Sequence, residues 1–325
     1  MNVKKKTYDI TALGEALVDF TEAGKSSAGM RLFEQNPGGA PANLLSAAAR
    51  LGANTAFIGK VGQDMHGNFL RTTLHDIGVD TRGLIQTNDV FTTMAFVTLD
   101  AGEREFSFAR KPGADACLTK EELGFDVLDN TAVLHVGSLS LTDEPARSAT
   151  YAAVQRAKES GALISYDPNY RAGLWNSRAD AIVRMQEILP LVDVMKLSDE
   201  ETELLSGYSD VEKAAGELSK RGVRLIVVTC GKSGAFVHWK DTHQIVPGYD
   251  VPVIDTTGAG DAFWGGFLCQ LTKSTKPLEA IDPEDIALFA RFANAVAAIC
   301  IGRRGGIPAM PDLQTVTEFM RGVRE

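Results

Sequence analysis

The strongest constraint on the fold is an alternation of short apolar runs with segments of helical periodicity. Six apolar runs resemble buried strands: 10–17, 55–61, 132–136, 163–166, 192–197 and 225–229. Between the later runs, apolar residues recur at helical spacing in segments 144–160, 178–189 and 211–221. Strands that alternate with helices favour a mostly parallel central sheet with helices on both faces. The sequence therefore predicts an α/β fold.

One region breaks this alternation. Residues 91–100 and 103–109 are rich in β-forming side chains and flank an Asp-Ala-Gly turn, which predicts a hairpin. Residues 20–33 are also non-helical. We expect a single α/β domain over 1–325, with a small β lid formed by insertions at about 20–35 and 91–111. An extension of the edge of the main sheet is the alternative.

Composition excludes several classes of protein. The chain has 325 residues and a net charge of −9, which argues against broad binding to nucleic acid or acidic membranes. No apolar run reaches the ~18 residues of a membrane span. The four cysteines are far apart, so neither a disulfide framework nor a zinc site is expected. We expect a cytoplasmic protein.

The strongest motif is the Gly-rich stretch 255–261 (DTTGAGD), which directly precedes an apolar helix. The backbone amides of Gly258, Ala259 and Gly260, together with the helix N-terminus, predict an anion site. Asp261 lies in the first helical turn and is placed to take a proton from an attacking hydroxyl. The alternative is a flexible turn followed by an acidic residue that only complements the helix dipole.

Two common nucleotide motifs are absent from the sequence. Residues 231–233 (GKS) resemble the end of a P-loop, but Ile226 stands where its first glycine should be. Gly258 and Gly260 match a dinucleotide fingerprint, but Phe263 replaces its third glycine. A P-loop enzyme and a nicotinamide oxidoreductase are therefore disfavoured.

Polar residues also follow several predicted strands. Asp19 ends the first apolar run, and a polar cluster at 167–171 (DPNYR) ends a later one. In residues 38–43 (GGAPAN), two glycines allow a ligand to approach the backbone, and Asn43 can offer a donor and an acceptor. Open α/β sheets bind ligands at the carboxyl ends of their strands. Ordinary turn chemistry is the alternative for each cluster.

With these residues assembled, the chain resembles the PfkB (ribokinase-like) family of sugar kinases, and within it the fructokinase-like members. The resemblance rests on 38–43 with 59–67 (GKVGQDMHG), on 255–261, and on 108–115 (FARKPGAD). It implies the ribokinase-like α/β fold and the phosphorylation of a sugar hydroxyl by ATP. D-fructose, converted to fructose 6-phosphate, is the first expectation.

The resemblance also implies roles for individual residues. Asp261 matches the general base, and the amides of Gly258, Ala259 and Gly260 match the anion hole. Sugar-binding positions are matched by Asp19, Gly39, Asn43, Arg110 and Asn169. Nucleotide contacts are matched by Thr229, Gly231 and Asn294. Because Arg110 follows the alternating hairpin, we expect its guanidinium to close over the sugar.

Metal ions enter through the same resemblance. The family often has Asn-x-x-Glu near Mg²⁺, and here Ser198 replaces the Asn while Glu201 matches the Glu. Glu201 would orient a water on Mg²⁺, although Glu200 remains an alternative. Many members also hold K⁺, which Asp255 would bind together with ligands from 301–306.

Several readings remain open at this point. Other kinases of the fold are the nearest alternative to a fructokinase, namely a 2-keto-3-deoxygluconate kinase, a ribokinase or a nucleoside kinase. A catalytically silent sugar sensor is disfavoured because Asp261 and its glycines are intact. A lone lid sheet needs its apolar face covered, so we expect a homodimer through the lid.

Overall fold

The computed structural model describes residues 6–100, 103–274 and 276–322. Its strands are β1 (Tyr8–Leu13), β2 (Leu17–Lys25), β3 (Arg31–Gly38), β4 (Thr55–Gly62), β5 (Val79–Thr87), β6 (Met94–Asp100), β7 (Glu103–Ala109), β8 (Thr131–Gly137), β9 (Leu163–Asp167), β10 (Val194–Ser198), β11 (Leu225–Thr229), β12 (Ala235–Trp239) and β13 (Thr242–Val246). Its α-helices are α1 (Ala40–Arg50), α2 (Met65–Ile77), α3 (Phe125–Asp129), α4 (Ala146–Glu159), α5 (Arg178–Glu187), α6 (Asp199–Ser206), α7 (Val211–Lys220), α8 (Ala259–Lys273), α9 (Pro283–Ile301) and α10 (Leu313–Gly322).

The main sheet is mostly parallel, as the sequence predicts. Its described strands lie in the order β13-β12-β11-β10-β9-β8-β1-β4-β5. Only β12 and β13 run antiparallel to their neighbours. The connections between parallel strands carry helices, so all the carboxyl ends of those strands meet at one edge of the sheet.

Helices cover both faces of this sheet. Successive strand residues alternate between two apolar clusters, so Leu225 and Val227 face one side while Ile226 and Val228 face the other. Helices α1, α2, α8, α9 and α10 contribute to the first cluster. Helices α3 to α7 contribute to the second. Burial on both faces explains why the strand runs read as continuously apolar.

A second, smaller sheet stands apart from the main one. Its four described strands lie in the order β3-β2-β6-β7. Strands β6 and β7 form the antiparallel hairpin predicted from residues 91–109. Stacked Phe20 and Phe96 rings lie 5.3 Å apart between β2 and β6. We call this four-stranded sheet the lid.

The first apolar run does not form one strand. Residues 10–17 are divided because β1 ends at Leu13 and β2 begins at Leu17, already in the lid. A Cβ at Gly14 would lie 2.7 Å from Pro41 Cγ, so the chain turns there against the start of α1. Asp19 therefore lies on lid strand β2 and not at the carboxyl end of a main-sheet strand. Among the described residues, no helix is long and apolar enough to span a bilayer.

Candidate active site

Two cavities lie at the edge of the main sheet. The first, the lid cavity, has a volume of about 290 Å³ and lies between the lid strands and the start of α8. Its lining includes Asp19 on β2, Asn43 on α1 and Phe108 on β7. The second, the edge cavity, has a volume of about 400 Å³ and lies beside the ends of β10 and β11.

The two cavities share part of their lining. The shared residues are Asn169, Arg171, Thr256, Gly258 and Asp261. Two ligands bound in the two cavities would therefore meet at the start of α8. This arrangement suits the transfer of a group from one ligand to the other.

The start of α8 provides donors for an anion. The helix begins at Ala259, and Gly258, in a left-handed conformation (φ 75°), forms its N-cap. A Cβ at Gly258 would lie 3.2 Å from Gly306 Cα. The Ala259 amide donates to the Thr256 carbonyl at 3.2 Å. The amides of Gly260 and Asp261 are first-turn groups, which lack intrahelical acceptors and point towards solvent or a ligand.

Asp261 is held by a residue distant in sequence. The Nδ2 of Asn43 donates to the Asp261 Oδ2 at 2.8 Å, across 218 residues of chain. The Asn43 side chain comes from the first turn of α1, which packs against α8. The other end of the Asn43 amide, its buried Oδ1, has no hydrogen-bond partner among the described residues and is left to accept from a ligand hydroxyl.

The charge environment tunes the acidity of Asp261. Burial raises the pKa of its carboxyl to about 6, and the charge of Asp167 adds to the rise. The charge of Lys196 opposes it. The ammonium of Lys196 donates to Asp167 Oδ2 at 2.9 Å, and both side chains are buried. A carboxyl with this pKa is ionised at neutral pH and still basic enough to accept a proton.

Three further predicted sugar residues line the lid cavity. Asp19 lies on β2, and burial raises the pKa of its carboxyl to about 6. Gly39 has φ 104°, and a Cβ there would lie 2.4 Å from the Glu15 carbonyl oxygen, so only glycine fits. Asn169 has φ 43°, which Asn tolerates better than most residues, and it faces both cavities.

Arg110 is not placed with these residues. Its guanidinium is buried and donates to Asp115 Oδ2 at 2.7 Å, to Thr142 Oγ1 at 2.9 Å and to the Leu139 carbonyl at 3.0 Å. It lines neither cavity. In this structure Arg110 does not face the lid cavity, and its contact with the sugar stays a prediction. The reason for its position is that the pleat of β7 ends at Ala109, and the next residue turns into the main domain.

Two of the three predicted nucleotide residues line a cavity, and the third does not. Thr229 at the end of β11 and Gly231 after it line the edge cavity. Asn294 on α9 lines neither cavity. Its Nδ2 donates to the Val246 carbonyl at 3.1 Å and to the Pro247 carbonyl at 3.0 Å. Asn294 thus holds the last residue of β13 and the residue after it, and its contact with the nucleotide stays a prediction.

Glu201 faces the edge cavity from the first turn of α6. Its Oε2 accepts from the Ser198 amide at 2.8 Å, and its Oε1 accepts from the Tyr170 amide at 2.7 Å. Glu200 lines the same cavity, so geometry leaves both carboxylates available there. Among the described residues, no group of three or more His, Cys, Asp and Glu side chains could hold a metal ion.

Asp255 connects two loops beside the lid cavity. Its Oδ1 accepts from the Thr257 amide at 2.9 Å, and its Oδ2 accepts from the Gly305 amide at 3.0 Å. The carboxylate therefore lies against the 301–306 segment, where the family resemblance implies the other ligands of a monovalent cation. The structure thus brings together the residues that such an ion would use.

Sequence reasoning missed Lys196 and Glu15 as parts of the site. Lys196 lines the edge cavity, and Glu15 lines the lid cavity. Each lies within a run that was read as apolar, 192–197 and 10–17. A charged residue inside an otherwise apolar run is the signal, because Lys and Glu are almost never buried without a partner.

Comparison with known proteins identifies the family. The profile described as pfkB family carbohydrate kinase matches residues 8–313. The chain belongs to this family. Both the predicted family and the predicted ribokinase-like fold are thereby confirmed, and the chain is a sugar phosphotransferase by family.

Relatives with this fold cover nearly all of the chain. Fructokinase-1 of Zea mays is 43% identical over 315 residues, which are 96% of this chain and 97% of that protein. Fructokinase from Xylella fastidiosa with bound ATP has a TM-score of 0.91 and 35% identity, covering 98% of this chain and 100% of that one. A double mutant of Vibrio cholerae O395 fructokinase with fructose, ADP and potassium ion has a TM-score of 0.86 and 33% identity, covering 97% and 99%.

Proposed function

We propose that this protein is a fructokinase that transfers the γ-phosphoryl group of ATP to D-fructose and forms fructose 6-phosphate. One observation carries the proposal: Asp261, oriented by Asn43, lies where the lid cavity meets the edge cavity. We assign the sugar to the lid cavity and the nucleotide to the edge cavity. The identity to fructokinases over 96% of the chain supports fructose as the sugar.

The chemistry follows from this placement. The carboxylate of Asp261 takes the proton from the sugar hydroxyl as the hydroxyl oxygen attacks the γ-phosphorus. The bond from the γ-phosphorus to the bridging oxygen breaks, and ADP leaves with that electron pair. The first-turn amides of α8 donate to the oxygens of the transferring group, whose charge they stabilise. Asn43 holds the accepting carboxylate in position.

The lid cavity has the chemistry expected for a polyol. Asp19 and Asn43 offer acceptors and donors for hydroxyl groups, whereas Leu17, Val97 and Phe108 cover the apolar face of a sugar ring. We propose that Asp19, Gly39, Asn43 and Asn169 contact the sugar. Thr229 and Gly231 would contact the nucleotide.

The site also fits the metal ions that such a reaction uses. Glu201, or Glu200 beside it, would hold a water of Mg²⁺, which neutralises charge on the phosphates when bound. Asp255 with the 301–306 segment would hold K⁺, in line with the potassium ion in the Vibrio cholerae fructokinase.

A sugar panel tests this function. The purified chain would be assayed for ADP release with fructose, ribose, 2-keto-3-deoxygluconate and adenosine, each with Mg²⁺ and ATP. Fructose should give the highest kcat/KM. Preference for another compound of the panel, or no ADP release with any, would contradict the proposal.

Asp261→Asn tests the assigned base. The change keeps the shape of the side chain and removes the proton acceptor, so kcat should fall by about 10² to 10⁴. Fructose binding measured by calorimetry should change little. Retention of more than about a tenth of wild-type turnover would contradict the role of Asp261.

We also propose that the protein forms a homodimer through the lid. Strand β3 and the turn before it carry exposed Met30 (69% exposed), Leu32 (46%) and Phe33 (36%). Pairing of two lids would cover these side chains. Light scattering after gel filtration should give twice the mass of one chain for the wild type. For Leu32→Glu it should give the mass of a single chain. A monomeric wild-type protein at micromolar concentration would contradict the proposal.

A further inference from the structure

Lys196 is a buried cation at the centre of the main sheet. It lies in β10 and is 6% exposed. Burial lowers the pKa of its ammonium, but the charges of Asp167 and Glu201 outweigh burial and leave that pKa raised. The ammonium is therefore charged at neutral pH. A buried ion pair adds little net stability, because desolvation offsets the attraction. Stability alone does not account for a lysine at this position.

The ammonium of Lys196 has donors to spare. It carries three N–H groups, and its only hydrogen bond to the described residues goes to Asp167 Oδ2 at 2.9 Å. Lys196 also lines the edge cavity, which we assign to the nucleotide. The remaining N–H groups are therefore available to a ligand in that cavity.

The position of the ammonium relative to α8 defines which part of the ligand it meets. A Cβ at Gly260 would lie 2.7 Å from Lys196 Nζ, so the ammonium touches the backbone of the first turn of α8. Lys196 and Asp261 also act on each other electrostatically. The ammonium thus lies beside both the anion-binding amides and the base. A phosphoryl group that moves from the edge cavity to the lid cavity passes between these amides and the carboxylate of Asp261.

We propose that Lys196 is a catalytic residue whose ammonium donates to an oxygen of the transferring phosphoryl group. Asp167 is a positioning residue that holds the ammonium in place. The inference rests on the proposed kinase function and adds a side-chain cation to its amide donors. In phosphoryl transfer, charge spreads over the three equatorial oxygens, and a fixed cation in a water-poor site stabilises it.

Two other roles for Lys196 must be separated from this one. Lys196 could serve only to neutralise Asp167, or only to lower the pKa of Asp261. A double variant, Lys196→Met with Asp167→Asn, separates all three roles. It removes one positive and one negative charge together, so the net charge around Asp261 stays constant. It also leaves neither Lys196 nor Asp167 as a buried charge that has lost its ion-pair partner, so we expect the double variant to fold.

The measurements use the full chain with saturating ATP, Mg²⁺ and fructose. If Lys196 contacts the phosphoryl group, the double variant keeps a wild-type melting temperature but loses about 10² to 10³ in kcat. The single variant Asp167→Asn, which keeps the ammonium, should retain more activity than the double variant. A double variant with kcat within about threefold of wild type would overturn the inference.

A binding measurement gives a second test. In Lys196→Gln, the amide can still donate to Asp167, so this variant replaces the double variant if the latter does not fold. With fructose present, its affinity for ADP plus aluminium fluoride, which mimics the transferring group, should fall at least about tenfold. Its affinity for ADP alone should stay within about threefold. Equal losses for both ligands would overturn the inference.

The failure of this inference is distinct from that of the proposed function. A wild-type chain that releases no ADP with any sugar contradicts the kinase proposal itself. If the wild-type chain phosphorylates fructose and the double variant is also active, the kinase proposal stands and Lys196 is not a catalytic residue.

Discussion

Substitution of Arg110 by Ala should lower stability rather than sugar affinity. The guanidinium is 2% exposed and the Asp115 side chain 3%. The Thr93 hydroxyl also donates to the Asp115 carboxylate. Thr93 precedes β6 and Arg110 follows β7. Because both residues bind Asp115, this carboxylate joins the two ends of the lid hairpin to the main domain. Loss of the arginine would leave Asp115 as a buried charge with no bonded cation.

The size of the effect follows from burial. Removal of one partner from a buried ion pair costs about 3–5 kcal/mol. An unfolding entropy of about 2.1 cal/mol/K per residue gives roughly 0.7 kcal/mol/K for the 325-residue chain. The lost free energy divided by this entropy gives a fall in the melting temperature of roughly 6 °C.

An exposed arginine in the lid provides the matched control. Arg31 lies 3.9 Å from Glu22, and its side chain is 62% exposed. An exposed pair contributes at most about 1 kcal/mol, so Arg31→Ala should shift the melting temperature by no more than roughly 1.5 °C. Thermal unfolding followed by circular dichroism measures both variants under the same buffer conditions.

Kinetics decide between the two roles of Arg110. With folded protein well below the transition, Arg110→Ala should leave the fructose KM within about threefold of wild type. An unchanged melting temperature together with a fructose KM raised more than about tenfold would refute the reasoning, because that is the signature of a lost bond to a charged donor.

Three further outcomes are expected. Gly260→Val places a Cβ 2.7 Å from Lys196 Nζ and should lower kcat by about 10² to 10³. The control Gly216→Val, with open space around its Cβ, should leave kcat unchanged. Normal turnover of Gly260→Val would mean that the loop is only a turn. Burial raises the pKa of the Glu15 carboxyl from 4.5 to about 7. The folded state therefore keeps this proton at a pH where the unfolded state has lost it. The free energy of unfolding should fall by roughly 3 kcal/mol as pH rises from 4.5 to 7. Glu15→Gln keeps the acceptor for the Ala40 amide without titrating, so its melting temperature relative to wild type should be higher at pH 8 than at pH 5; a difference independent of pH contradicts this. Because the pKa of Asp261 is raised to about 6, kcat should fall as pH drops through 6, and a flat profile from pH 5 to 8 would contradict its role as base.

Residues whose function depends on backbone geometry were predictable from the sequence. The stretch 255–261 combines glycines, a helix start and a carboxylate within seven residues, so its local structure follows from the order of the residues. Asn43 likewise belongs to a short motif, 38–43, that stands out in the sequence. The hydrogen bond between Asn43 and Asp261 joins two such local motifs, and only the packing of α1 against α8 creates it.

Residues whose role depends on where the chain changes sheets were harder to predict. Asp19 contributes to the site from the lid because the chain leaves the main sheet at Gly14, and no pattern in residues 10–17 marks that point. The strand β7 ends at Ala109, so its alternation does not determine where the side chain of Arg110 lies. The partners of this side chain, Thr142 and Leu139, are about 30 residues away in sequence, and nothing local indicates them.

Lys196 was overlooked for a different reason. Hydrophobic periodicity assigns strand 192–197 correctly, and a single charged residue does not change that assignment. Its partner Asp167 lies on the neighbouring strand, so the pairing becomes visible only once the order of the strands is known. Strand order is a long-range property that local patterns do not encode.

The order of the strands also determines how the protein can be made on the ribosome. From β9 onward, each strand of the main sheet pairs with the strand synthesised just before it. Helix α3 precedes β8 and helices α4 to α7 lie between β8 and β11, so the helices of one apolar face are synthesised together with these strands. The other face also needs α8, α9 and α10, which follow all the described strands, and α8 brings Asp261 with it. A chain that stops before residue 259 therefore lacks helices that cover this face and lacks Asp261, and its exposed apolar surface favours aggregation.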